Sequence, residues 1–526
     1  MKHAFALLVI LLLAWNLREA WSELHPAEPV GDIAIYEELA RGLLETGVYG
    51  GKAEEDENEE EEVAGETEGE ETEVEASVER EVVAQSLIAQ WKGDLVKLED
   101  KNREYAEERE RLKPSCERAP GWPAVLACLL WLFEEEAPLE SADTTSAGAS
   151  PEVVLADEEG IAETTPGSVS PETVLTDGEV DETDTDDLVP GVVDVQIGLG
   201  VFAVFLTWVL GWQLFSSGIG LAAAFLAAIY INHIAMISTW CSEPLFLALW
   251  MLALTLSVAG IKREGWGGWT LFILAALVFG AAAHVRPTPI LLAPALLIAV
   301  IFRSPWLGVS RWRWLAMALV FIATLVPWTV RNWHVSGHFI PIAATGGPNL
   351  YMGNSPSRTL YWLTSWEDAY EPLEDRTTVA LHLIGSRLAR EYAIAHPQTT
   401  VMRWFVKFDH LIRPEMYFTV FNPEWYDQVE HFNSTLALCT WQWRLVLVGL
   451  VAWLILLWLR RGGHELIEGV TPAQLWVISL FGLWVAVHLI TWAQPRFRHG
   501  IEPVMMIFAM AGWAAVWRAG QRRRVA

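Results

Sequence analysis

The sequence predicts an all-α polytopic membrane protein: about ten transmembrane helices with interfacial helices and a loop region outside the cytoplasm. Three observations carry that expectation. The chain is 52% hydrophobic and holds 29 Trp, yet its formal charge is -30 over 526 residues, so acidic and apolar stretches must be segregated. Apolar runs of ~20 residues, enough to cross a hydrocarbon core, recur through much of the chain. Lys and Arg fall in alternate loops between those runs, the distribution that fixes which loops stay cytoplasmic.

Residues 1–50 hold the first span, at 4–20, and a second helix. A basic start and apolar core also suit a cleaved signal peptide, but Leu17 to Glu23 offers no small-x-small cleavage site, so an uncleaved span is preferred. Residues 51–116 open with an acidic tract that cannot bury enough apolar surface to order itself. Val78, Val82, Leu87, Trp91, Leu95 and Leu98 then recur at helical spacing, as in a solvated amphipathic helix. Residues 117–134 are apolar but too short to cross and are opened by Pro120, Gly121 and Pro123, so a re-entrant or interfacial helix is expected. Residues 135–190 are acidic again, with SPEVVLAD at 150–157 echoed by SPETVLTD at 170–177. Solvation in a salty or crowded exterior accounts for both acidic tracts; cation or partner binding is the alternative.

Residues 191–330 form the main bundle, with spans at 194–214, 218–237, 243–260, 267–284, 287–303 and 312–330. A loop domain occupies 331–440, and 441–526 adds spans at 441–459, 473–492 and 500–518. If 117–134 does not cross, Lys2, Lys262, Arg263, Arg303, Arg311, Arg313, Arg460, Arg461 and the basic C-terminus share the cytoplasmic side. The acidic tracts and 331–440 then lie outside. Four cysteines (Cys116, Cys128, Cys241, Cys439) show no metal spacing and give no indication of disulfides.

The residues that suggest chemistry gather at the outer ends of the spans. Asp32 opens a helix whose Ile33, Tyr36, Leu39, Ala40, Leu43 and Leu44 form one apolar stripe, suited to the membrane interface. As an N-cap Asp32 needs no further role. Glu243 begins a span, where the helix dipole alone favours an acid. Arg286, Arg331, Arg496 and Arg498 stand on the outer side, against the positive-inside bias. Snorkelling to headgroups would account for any one of them, whereas together they suit a dianionic lipid phosphate. The turn-rich stretch from Pro327 to Pro356 has the composition of a site rather than a connector. Tyr351, Trp404, Phe408 and Trp425 in the loop domain could stack on sugars or belong to an interfacial belt. P-loop, GxGxxG, HExxH and paired-Cys patterns are all missing from the sequence, so soluble nucleotide-sugar chemistry is not suggested.

These elements together resemble the GT-C glycosyltransferases that use polyprenyl-phosphate sugars, such as dolichyl-phosphate-mannose protein mannosyltransferases and lipid A aminoarabinose transferases. The resemblance rests on PWTVRN at 327–332 followed by Gly353-Asn354, and on the D-x-x-x-Y-x-x-x-A-x-x-L-x-x-x-G helix from Asp32 to Gly47. RAPGWP at 118–123, SEPLF at 242–246, HVRP at 284–287 and RFRH at 496–499 extend it. It implies Asp32 as general base or acceptor anchor, Glu243 as a cavity acid, and Arg286, Arg331, Arg496 and Arg498 as donor-phosphate cations. Tyr36, Glu117, Arg118, His284, Asn332, Asn354 and His499 would line the substrate cavity. The insertion at 51–116 departs from the pattern and parts Asp32 from Arg118. The resemblance further implies a polyprenyl-phosphate sugar donor, an extracytoplasmic protein, lipid or glycan acceptor, transfer with inversion, and a bacterial plasma membrane with the site facing outward. No metal ligand is assigned and a divalent cation is left undecided; nucleic acid is not a partner. A transporter or lipid flippase is the rival class, and a non-catalytic scaffold presenting acidic arms a second.

Overall fold

The computed structural model describes residues 2–24, 32–46, 49, 118–133, 190–237, 239, 241–301, 308–355, 378–415, 429–459 and 470–525. Glu117, the side chain of Asp32, both acidic tracts, the helix expected within 76–113 and Trp425 lie outside these described residues. Everything regular among the described residues is helical. The first helices are α1 (Lys2–Leu24), α2 (Asp32–Thr46) and the short α3 (Gly121–Phe133). The bundle continues as α4 (Pro190–Leu214), α5 (Ser217–Ala228), α6 (Ile231–Ala235), α7 (Glu243–Lys262), α8 (Gly265–Val285), α9 (Leu292–Ile301) and α10 (Arg311–Ser336). The described residues of the loop domain hold α11 (Gly346–Gly353), α12 (Thr378–Ala395) and α13 (Pro397–Ile412). The chain closes with α14 (Val429–Leu459), α15 (Pro472–Ile490) and α16 (Glu502–Val525).

Helix α7 is apolar on every side, as a helix enclosed by others must be. It packs against α4, α8 and α15. Glycines set how closely the spans approach, since helices in lipid associate through van der Waals contact rather than through release of water. A Cβ on Gly211 of α4 would lie 2.7 Å from the Cα of Gly220 in α5. At the crossing of α14 and α16, a Cβ on Gly449 would lie 2.7 Å from the Ala509 carbonyl oxygen. A capping box between Thr471 and Gln474 starts α15.

Eight described helices are long and apolar enough to cross a membrane, fewer than the ten expected. The run 218–237 divides because α5 ends at Ala228 and α6 restarts only after Tyr230. In 287–303, Pro287 and Pro289 lack backbone donors, so a 3-10 turn at Thr288–Leu291 precedes the ten-residue α9. At 1.5 Å per residue α9 rises only about 15 Å. The helix carrying PWTVRN also runs on past the expected boundary at 330, through Pro327 to Ser336. It stops at Gly337, which takes the left-handed conformation (φ 67°) and donates its N–H to the Trp333 carbonyl at 2.9 Å. Gly353-Asn354 forms the end of α11.

Candidate active site

Helix α7 begins with Ser242 at its N-cap position, and Glu243 in its first turn is 2% exposed. Two arginines from different parts of the chain converge on this carboxylate. Arg286 follows the end of α8 and forms an ion pair with Oε1. Arg496, in a 3-10 turn at Pro495–Arg498, donates Nε to the same oxygen at 2.6 Å. Ser242 Oγ lies 3.3 Å from Oε2 and accepts from Arg286 Nη1 at 3.3 Å. The Tyr36 hydroxyl on α2 reaches Ser242 Oγ, also at 3.3 Å. Asp32 is therefore the first residue of a helix whose next turn touches the acid-arginine cluster.

A second cluster lies near the first. Glu502 opens α16, fully buried, and accepts from Arg498 Nε at 2.7 Å and from the Tyr230 hydroxyl at 3.0 Å. His233 Nε2 is 2.8 Å from its other oxygen. Burial and the Glu502 charge push the Tyr230 hydroxyl well above its ordinary range, so it stays a donor. Arg498 is 1% exposed, donates Nη1 to the Leu411 carbonyl at 3.1 Å, and lies over the Trp443 ring at 4.2 Å. The RFRH motif thus sends Arg496 to one buried acid and Arg498 to another, a consequence of their spacing within one tight turn. His499 sits between, with its ring 4.4 Å from that of His233. Burial, then the neighbouring His233, push His499 down to about 3, so it is neutral at ordinary pH. Expected as a donor-phosphate cation, Arg498 is in fact held inside the protein by Glu502 and a carbonyl.

The other predicted residues divide into two sets. Arg331 of α10 donates to the Tyr49 carbonyl at 3.0 Å and lies over the Trp328 and Tyr49 rings at 4.7 and 5.6 Å. The Tyr49 hydroxyl in turn donates to the Arg118 carbonyl at 3.3 Å. Gly121, three residues on, packs so closely on His284 that a Cβ there would lie 2.9 Å from its carbonyl carbon. Arg331, Arg118, His284 and Arg286 therefore share one end of the bundle, despite the insertion before Arg118. Asn332 and Asn354 instead tie backbone together. Asn332 is fully buried and donates to the carbonyls of Ile340 and Ile342 at 3.0 and 2.9 Å. Asn354 donates to Leu350 and Ile490 at 2.8 and 2.7 Å, joining α11 to the end of α15.

Sequence reasoning passed over Glu502, His233, Tyr230 and Lys407. Glu502 had a usable signal: an acid opening an apolar helix three residues after RFRH. Lys407 had none, because only the fold buries it, donating Nζ to the Leu489 carbonyl at 3.0 Å. Arg18 is likewise buried in α1 and donates to the Ala14, Ala227 and Ala228 carbonyls, which caps the C-terminal end of α5.

His233, His499 and Glu502 bring one donor atom each within 4.8 Å of one another. The set does not fit a resident cation. One oxygen of Glu502 is engaged by His233 and the other by Arg498 and Tyr230, so an ion would face a guanidinium across an already neutralised carboxylate.

Spanning helices gathered around two buried acid-arginine clusters define an integral membrane protein with an internal polar site. Residues 190–330, which carry Glu243 and Arg286, match the family model described as dolichyl-phosphate-mannose-protein mannosyltransferase. That match bears out the resemblance drawn from the motifs. No curated protein matches the sequence. Among solved structures, the chain is similar to the archaeal oligosaccharyltransferase AglB from Archaeoglobus fulgidus in complex with an inhibitory peptide and a dolichol-phosphate. Identity is 13% and TM-score 0.35, over 64% of this chain and 40% of that one. A complex of the Archaeoglobus fulgidus oligosaccharyltransferase with Zn and sulfate gives 16% and 0.33, over 63% and 38%. The chain thus spans about 40% of the length of the first of these structures.

Proposed function

We propose that the protein transfers a sugar from a polyprenyl-phosphate carrier to an acceptor outside the cytoplasm, with inversion at the anomeric carbon. One observation carries this reading: Glu243 is shared by Arg286 and Arg496 beside Tyr36, on the helix that Asp32 opens. Asp32 takes the proton of the acceptor hydroxyl or amine as that atom bonds to the anomeric carbon, while the bond from that carbon to the phosphate oxygen breaks. The polyprenyl phosphate leaves as a dianion, which cations stabilise without a general acid. Arg286, Arg496 and Arg331 are the donor-phosphate cations. Glu243 holds the first two in place. Arg498 acts at one remove, by anchoring the turn that aims Arg496.

The test is transfer from radiolabelled polyprenyl-phosphate sugars in proteoliposomes, offered peptide, lipid and glycan acceptors. Wild type transfers label and Asp32→Asn, equally well folded, does not. Full transfer by Asp32→Asn removes the base assignment. Movement of the labelled lipid across the bilayer with no transfer by either protein moves the reading to a flippase.

A further inference from the structure

Helix α13 is amphipathic the wrong way round for a helix of a water-soluble domain. Lys407 is fully buried, and His410 and Leu411 are buried beside it, while Asp409, paired with Arg413, is the charged residue on the outward face between Met402 and Phe405. Its apolar side faces outward, with Met402 65% and Phe405 68% exposed and Val401, Trp404 and Phe408 also exposed. Positions 401, 404, 405 and 408 follow helical spacing, so this is one continuous stripe rather than scattered side chains.

Two observations say what covers it. Lys407 donates Nζ to the carbonyls of Leu489 and Ile490 at 3.0 and 3.4 Å, the last turn of the α15 span. That bond fixes α13 at the level where the span ends, and Ile490 itself is 51% exposed there, so the apolar surface of the span runs into that of α13. Charge is the second. Around the buried Lys407, residues 378–413, the α12–α13 hairpin, hold Arg387, Arg390, Arg403 and Arg413 against Glu391 and Asp409, which pair with Arg387 and Arg413, in a chain whose net charge is -30. A basic, aromatic, outward-apolar helix at a span's end has the chemistry of the boundary between lipid headgroups and acyl chains.

We propose that α13 lies in that boundary, with Val401, Met402, Trp404, Phe405 and Phe408 against acyl chains and the hairpin's arginines beside anionic lipid phosphates. Trp404 and Phe408 are then lipid contacts rather than sugar platforms. The experiment uses the full chain with its native cysteines replaced by alanine, in vesicles of phosphatidylcholine and phosphatidylglycerol. Spin labels are placed at Phe405→Cys, at Met402→Cys as a second site should the first misfold, and at Glu391→Cys on exposed α12. Labels at 405 and 402 should collide with oxygen several-fold more, relative to a water-soluble nickel chelate, than the label at 391. Labels at 402 and 405 that follow the nickel chelate as closely as 391 does would overturn the proposal, because the stripe would then face water. Strong dipolar broadening between labels on two chains would also overturn it, since a second copy would then cover the face.

Discussion

Glu243→Gln is the most informative single change. Glutamine keeps the volume of the side chain and one carbonyl acceptor, so packing and one hydrogen bond survive. What disappears is the negative charge that Arg286 and Arg496 share at Oε1. Their side chains are 20% and 10% exposed, so little water is available to replace it. Removing one partner of a buried ion pair costs about 3–5 kcal/mol, because the stranded charge stays desolvated. Here two charges are stranded but each is slightly wet, and the retained amide offsets part of the loss, so the same range is expected. The assay is denaturant titration in mixed micelles beside the transfer reaction. Adding Arg496→Gln to the first change should cost far less than it does in wild type, a coupling of about 1–3 kcal/mol for groups in direct contact. Additive behaviour, or a loss below about 1 kcal/mol for Glu243→Gln, would refute the shared-carboxylate account, since contacting buried charges must couple.

Three more changes test other parts of the structure. Asp32→Asn should lower transfer by about 10²–10⁴-fold with thermal stability unchanged, and activity near wild type would refute its role as base. Burial and the nearby Arg403 push the Lys407 amine down to about 7 from an ordinary 10.5. A base with a depressed folded value is favoured neutral, so the unfolded chain binds more protons across that window and stability should rise with pH from about 7 to 10.5, a slope that Lys407→Met should flatten. Gly512→Ala would drive a methyl group into the Gly449 carbonyl and should destabilise the chain by about 1–3 kcal/mol, whereas Gly520→Ala, where a Cβ meets nothing in an exposed helix, should leave stability unchanged or raise it by up to about 1 kcal/mol in the same titration.

The sequence by itself determined the class of fold, because a span of apolar residues and the asymmetry of Lys and Arg are one-dimensional signals that the bilayer enforces. It also picked out the motif residues Glu243, Arg286 and Arg496, since a charge at the end of an apolar run is conspicuous wherever it ends up. It could not say that 218–237 breaks at Tyr230, or that α10 runs on past 330 to Ser336, because both depend on which neighbours satisfy the freed backbone groups. Partnership was decided only by the tertiary structure. Arg496 and Arg498 look alike in RFRH, yet one turns to Glu243 and the other to Glu502, and only packing distinguishes them. Lys407 looks like a surface lysine, and Trp404 and Phe408 like sugar-stacking or interfacial-belt aromatics. The fold buries the lysine and turns the aromatics outward, because α13 docks through Lys407 onto the carbonyls that end α15.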